Sequence, residues 1–185
     1  MFIQTEDTPN PETLKFMPGE SVLKKGTHDF SNVETAKISP LASRLFEVDG
    51  VSRVFLGSDF VSVTKNIDVE WNNLKPSILT AIMEHYSSGF PAINEDSLDN
   101  LGESSVDDTE TITQIKDLLE TRVRPAVAMD GGDITFCSFE DGIVTLKMQG
   151  ACAGCPSSTA TLKMGIENML RHYIPEVTEV KAAEL

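Results

Sequence analysis

Two cysteines three positions apart, Cys152 and Cys155, stand in a run of small residues, Gly150-Ala151-Cys152-Ala153-Gly154-Cys155-Pro156-Ser157-Ser158-Thr159. Small residues let a backbone approach a ligand closely, and Gly154 can adopt a positive φ. Pro156 suits the first position of a helix, which places Cys155 at or beside the N-cap. A helix start offers free N–H groups and the positive end of the macrodipole, so both sulfurs are expected to be reactive and ready for metal. With Gly, Ala and Ser around them instead of large apolar side chains, they are not expected to be core residues.

Ligand counting carries the argument further. Zinc and cubane iron–sulfur centres usually take four sulfur or nitrogen donors, and one C-x-x-C supplies two. The other candidates are Cys137, His28, His85 and His172. Cys137 lies between Phe136 and Ser138 in an expected strand, where a free cysteine packs as a small apolar residue. His28 and His85 fall in the other half of the chain and lack paired ligand spacing. His172 is 17 residues beyond Cys155 on the same expected helix, about 25 Å away at ~1.5 Å per residue, too far to share a metal. A two-fold dimer supplies the missing donors, because an isologous contact brings two identical loops together on the axis. Four thiolates around a cubane core leave a charge of about −2, which two helix starts favour. A site held by two residues per chain suits a cluster that is given away.

The elements that position this loop can be read on either side of it. Strands are expected at Ile134–Phe139 and Ile143–Met148, joined by Glu140-Asp141-Gly142, whose Asp-Gly signals a tight hairpin. A helix from Pro156 carries Leu162, Ile166, Met169, Leu170 and Tyr173 as its buried stripe, and Glu176–Lys181 adds a strand. Upstream, a helix from Asp108 to Arg124 turns Ile112, Ile115, Leu119 and Val123 to one side, and Pro125 is expected to stop it. Asp130-Gly131-Gly132-Asp133 reads first as a sharp turn into the strand, and second as a segment that shapes the cysteine loop.

The first half has its own pattern. Leu14–Met17 reads as a strand after Thr8-Pro9-Asn10-Pro11, and Ser39-Pro40 starts a helix with Leu41, Leu45 and Phe46 on its apolar side. Val51–Leu56 and Phe60–Thr64 form a hairpin across Gly57-Ser58-Asp59. A longer helix follows, with Trp71, Leu74, Ile78, Ile82 and Tyr86 at helical spacing; the two aromatics are read as core rather than as partner-binding surface. Between the halves, Glu95 to Asp108 carries six carboxylates and no basic residue, a composition that cannot bury enough apolar surface to order itself. The expected fold class is therefore α+β: two small α+β domains, 1–88 and 108–185, joined by a flexible acidic linker over 89–107.

Composition bounds the partners. A net charge of −14, from 29 acidic against 15 basic side chains, repels phosphate backbones and anionic lipid, so neither nucleic acid nor a membrane is expected as partner. No apolar run approaches the ~20 residues of a transmembrane helix. The first residues, Met1 to Asp7, have neither signal-peptide nor presequence character, which fits a bacterial cytoplasmic protein or a processed protein of an organellar matrix. Three cysteines, an odd number, point to thiols kept reduced and not to a disulfide framework.

Taken together, the second half resembles the NifU-like C-terminal domain of the Nfu family. The resemblance is carried by Arg124-Pro125, Asp130-Gly131-Gly132-Asp133 and the loop from Gly150 to Thr159. The first half resembles that family's N-terminal domain through Phe2-Ile3-Gln4-Thr5, Thr8-Pro9-Asn10-Pro11, Leu14-Lys15-Phe16, Ser39-Pro40-Leu41-Ala42 and Trp71 with Leu74-Lys75-Pro76. The family implies a non-enzymatic carrier that receives a [4Fe-4S] cluster from upstream cluster-assembly proteins and passes it to apoproteins of the lipoyl synthase or aconitase type. It implies an N-terminal domain devoted to partner recognition. Two other readings of the C-x-x-C stay open: a thiol–disulfide redox protein and a zinc-binding interaction module.

Overall fold

A computed structural model describes residues 1–94, 109–154 and 156–183. The chain divides into two compact units, Met1–Glu103 and Ser104–Leu185. Each mixes helices with its own sheet, so the fold class is α+β. The acidic segment 95–108 and Cys155 lie outside the described residues.

The first unit is a five-stranded sheet in the order β1-β2-β5-β4-β3, from β1 (Gln4–Asp7), β2 (Thr13–Met17), β3 (His28–Phe30), β4 (Val51–Leu56) and β5 (Val61–Lys65). All its pairings are antiparallel. The short β1 and β3 have no clear alternation, and they add edge strands that the sequence pattern does not announce. The helices are α1 (Val33–Ala36), α2 (Pro40–Phe46) and α3 (Trp71–Ser88). Ser39 caps α2: its hydroxyl oxygen accepts from Ala42 N–H at 3.0 Å and its O–H reaches the Ala92 carbonyl, while Pro40 takes the first turn. Leu41, Leu45, Leu74, Ile78 and Ile82 fill one core with Phe16, Val54, Val61 and Val63. Trp71 and Tyr86 pack against it, and Trp71 Nε1 donates to the Pro11 carbonyl at 3.0 Å. Ile93 is buried in this same core, so the first unit takes in residues beyond 88.

The second unit opens with α4 (Glu110–Leu118), capped by the Thr109 hydroxyl. Pro125 does not stop the helix as expected. A π-helical turn, Leu119–Val123, carries the chain into α5 (Arg124–Met129), where Pro125 sits in the first turn. The wider turn accommodates a residue that lacks an N–H and whose ring would collide with the preceding turn of a regular α-helix. Then come β6 (Gly132–Glu140) and β7 (Ile143–Gly150), antiparallel and joined by Asp141 and Gly142, both at positive φ, as a two-residue hairpin turn of this hand requires. Helix α6 (Pro156–Tyr173) crosses over to β8 (Glu179–Ala182), which pairs parallel to β7 in the order β6-β7-β8. Ile166 and Leu170 are buried, whereas Tyr173 is exposed and lies under the Arg122 guanidinium at 5.2 Å. It therefore leaves the expected stripe, stacking on a cation at the helix end, where Ile174 takes over the core position.

Candidate functional site

The cysteine loop lies between the end of the central strand β7 and the start of α6. Its first turn is fixed by backbone bonds: Ala151 N–H donates to the Gly131 carbonyl and Ala153 N–H to the Gly150 carbonyl, both at 3.1 Å. Gly150 and Gly154, at its two ends, have φ of 61° and 73°, a region L side chains avoid.

Cys152 is only 6% exposed and belongs to the second core, with Ile134, Met148, Ile166 and Leu170. The expectation that its sulfur stays out of a core does not hold. The space comes from Gly132: a Cβ there would stand 2.6 Å from Cys152 Sγ and 2.8 Å from the Gln149 carbonyl oxygen. Neighbours in sequence are small, but neighbours across the sheet are the core. Cys137 departs in the opposite direction. The β6–β7 register slips between Phe136 and Ser138, so Cys137 is the extra residue of a β-bulge and its side chain is exposed instead of packed.

Behind Gly132 stands a salt bridge that the reading of charges along the sequence missed. Arg124 Nε and Nη2 donate to the two carboxylate oxygens of Asp133, each at 2.8 Å, and Asp133 Oδ1 also accepts from Ile134 N–H at 2.8 Å. Asp133 is buried and Arg124 half-buried. The hydrogen bond to Asp133 holds the Arg124 guanidinium well above its ordinary pKa, against burial, with Glu120 adding to the effect. The only sequence signal was Arg124-Pro125 and Asp130-Gly131-Gly132-Asp133, the segments that carried the resemblance. The turn Asp130-Gly131-Gly132-Asp133 thus serves both readings: Gly131 takes φ of 80°, and Gly132 and Gly131 together touch the cysteine loop.

His28 and His85 belong to the first unit, and His172 is exposed at the far end of α6. Among the described residues, no group of three or more His, Cys, Asp or Glu side chains is placed to hold a metal ion.

Comparison with known proteins assigns the class. Residues 3–89 match the family described as scaffold protein Nfu/NifU N terminal, and residues 115–181 match the NifU-like domain. The chain belongs to the Nfu/NifU family, with both its N-terminal and its C-terminal domain. It is 56% identical to NifU-like protein 4, mitochondrial, of Arabidopsis thaliana over 98% of this chain and 65% of that protein. NifU-like protein 5, mitochondrial, of the same plant is 55% identical, covered over 67% of its length. The NFU1 iron-sulfur cluster scaffold homolog, mitochondrial, of Drosophila ananassae is 54% identical over 98% of this chain and 64% of that protein. The chain thus spans about two thirds of the length of the relatives it matches.

Proposed function

We propose that the chain is an iron–sulfur cluster carrier: Cys152 and Cys155, with the same pair from a second copy, hold a [4Fe-4S] cluster that is passed to apoproteins. The observation that carries this reading is the loop itself, a C-x-x-C at a strand-to-helix junction with Cys152 seated against Gly132. Two donors per chain make half of a four-donor site. The carboxylate beside that seat, Asp133, is already committed to Arg124. A second subunit is the source that completes the set.

The cluster is cargo, so the chain's task is to bind and release rather than to catalyse. Relatives named as iron–sulfur cluster scaffolds support the scaffold role, and their mitochondrial names favour an organellar matrix over the bacterial cytoplasm. No helix among the described residues is long and apolar enough to cross a membrane. Apoproteins of the lipoyl synthase or aconitase type are the clients the resemblance points to, with cluster-assembly proteins upstream.

Anaerobic reconstitution followed by iron, sulfide and mass measurement, on the wild type and on Cys152→Ser and Cys155→Ser, tests the reading. Four irons and four sulfides per dimer are expected for the wild type, with loss of the stable centre in either variant. Zinc at one ion per dimer, without iron or sulfide, would replace the carrier by a zinc module. Insulin reduction by a colourless protein would replace it by a redox protein.

A further inference from the structure

A sulfur that ligates a shared cluster must be presented outward, yet Cys152 is 6% exposed and counts among the residues of the second core. Three features build the place in which it lies. Gly132 supplies the space: with a Cβ, its side chain would stand 2.6 Å from Cys152 Sγ and 3.0 Å from Cys152 N. Gly131 accepts the Ala151 N–H at 3.1 Å, tying the loop to the turn before β6. The Arg124–Asp133 pair, two bonds of 2.8 Å with a third from Ile134 N–H to Asp133 Oδ1, fixes the residue next to Gly132. The loop carries a glycine at positive φ at each end, and a Cβ at Gly154 would meet nothing within 4 Å, so the backbone can turn at Gly154 without displacing a packed neighbour.

We propose that Gly132, held by Arg124 and Asp133, is a positioning residue that gives Cys152 two stations: a sheltered thiol-in station against Gly132, and a thiol-out station from which the sulfur ligates. This rests on the reading of Cys152 as a ligand. The in station keeps an otherwise reactive thiol from alkylation and oxidation while no cargo is present. The out station is populated by local opening of residues 150–154, so loading draws on the open fraction.

The test is made on the full-length, reduced, metal-free chain. A timed pulse of iodoacetamide is followed by fragmentation mass spectrometry that assigns each modified sulfur, with exposed Cys137 as internal reference. Cys152 is expected to react about tenfold or more slowly than Cys137 in the native protein, and as fast as Cys137 in urea. Gly132→Ala should abolish the in station and raise the Cys152 rate toward that of Cys137. Should that variant fail to fold, Arg124→Gln, which removes the clamp and adds no atoms to the seat, is expected to raise it severalfold. Ile115→Val, a change on α4 within the same core that leaves Gly132 and its clamp intact, separates positioning from general loosening, and should leave the ratio of the two rates at its wild-type value. Equal rates for Cys152 and Cys137 in the native wild type would overturn the proposal, as would a ratio unmoved by Gly132→Ala or shifted equally by Ile115→Val. Because these readouts need no cluster, a chain that shelters Cys152 but reconstitutes only zinc would sink the carrier reading and leave the seat standing.

Discussion

At the scale of single residues, the structure reverses the burial that the sequence leads one to expect of Cys152 and Cys137 and seals His85 away from solvent. Cys152 lies in the loop between β7 and α6, whereas Cys137 sits in the bulge within β6, outside that loop, so Cys137→Ser should leave iron and sulfide content at wild-type values while Cys152→Ser removes them. His85, on α3, is 1% exposed, and neither ring nitrogen meets a hydrogen-bond partner among the described residues. Burial, and secondarily the Arg44 charge, hold it below its ordinary 6.5; the Phe90 backbone pulls the other way without reaching bonding geometry. The folded chain thus binds fewer protons than the unfolded one below that value. The stability is complete above pH 6.5 and falls as pH drops from there toward the depressed folded value. His28, also lowered by burial, adds in the same direction. Replacing His85 with Phe should therefore flatten, but not abolish, the loss of melting temperature of the first unit between pH 7.5 and 5, measured by calorimetry. A variant as acid-sensitive as the wild type would assign the effect elsewhere.

At the scale of elements, the parts with strong local signals are those legible from the sequence. Ser39-Pro40 states its helix start because the cap and the fixed φ act within four residues. Asp141-Gly142 states its hairpin because few residues tolerate positive φ. Ser39→Ala is accordingly expected to cost about 1–2 kcal/mol in urea unfolding of the first unit, since it strips Ala42 N–H of its cap and leaves the Ala92 carbonyl without its donor. Most of what stayed hidden depends on contacts distant in sequence. The bulge that exposes Cys137 and the Gly132 space that buries Cys152 are both set by what lies across the fold, and the π turn that lets a helix pass Pro125 has no spacing signal of its own. The candidate ligands were legible as a spacing, but the state of the Cys152 sulfur was not.

At the scale of the molecule, two separate cores imply two separable stabilities. The first is built on Phe16, Leu41, Ile78 and Ile82, the second on Ile115, Ile134, Leu146 and Leu170, with no residue in common. Ile78→Ala, at a fully buried position, should cost about 2–5 kcal/mol. The loss should appear only in the unfolding transition of the first unit, with the second unchanged in midpoint and slope, as followed by amide exchange resolved along the chain. The same division sets where the chain can be cut. Ile93 belongs to the first core and Ser39 holds Ala92, so a cut after residue 88 strips that core of a side chain, whereas a cut after 94 keeps it whole. The family resemblance assigns client recognition to the first unit, so residues 95–185, which retain both candidate ligands, are expected to bind iron and sulfide as the full chain does, yet to transfer the cluster to an apoprotein more slowly. Full transfer rates from the shortened chain would assign client recognition to the second unit. Loss of the cluster would make the first unit part of the binding site itself.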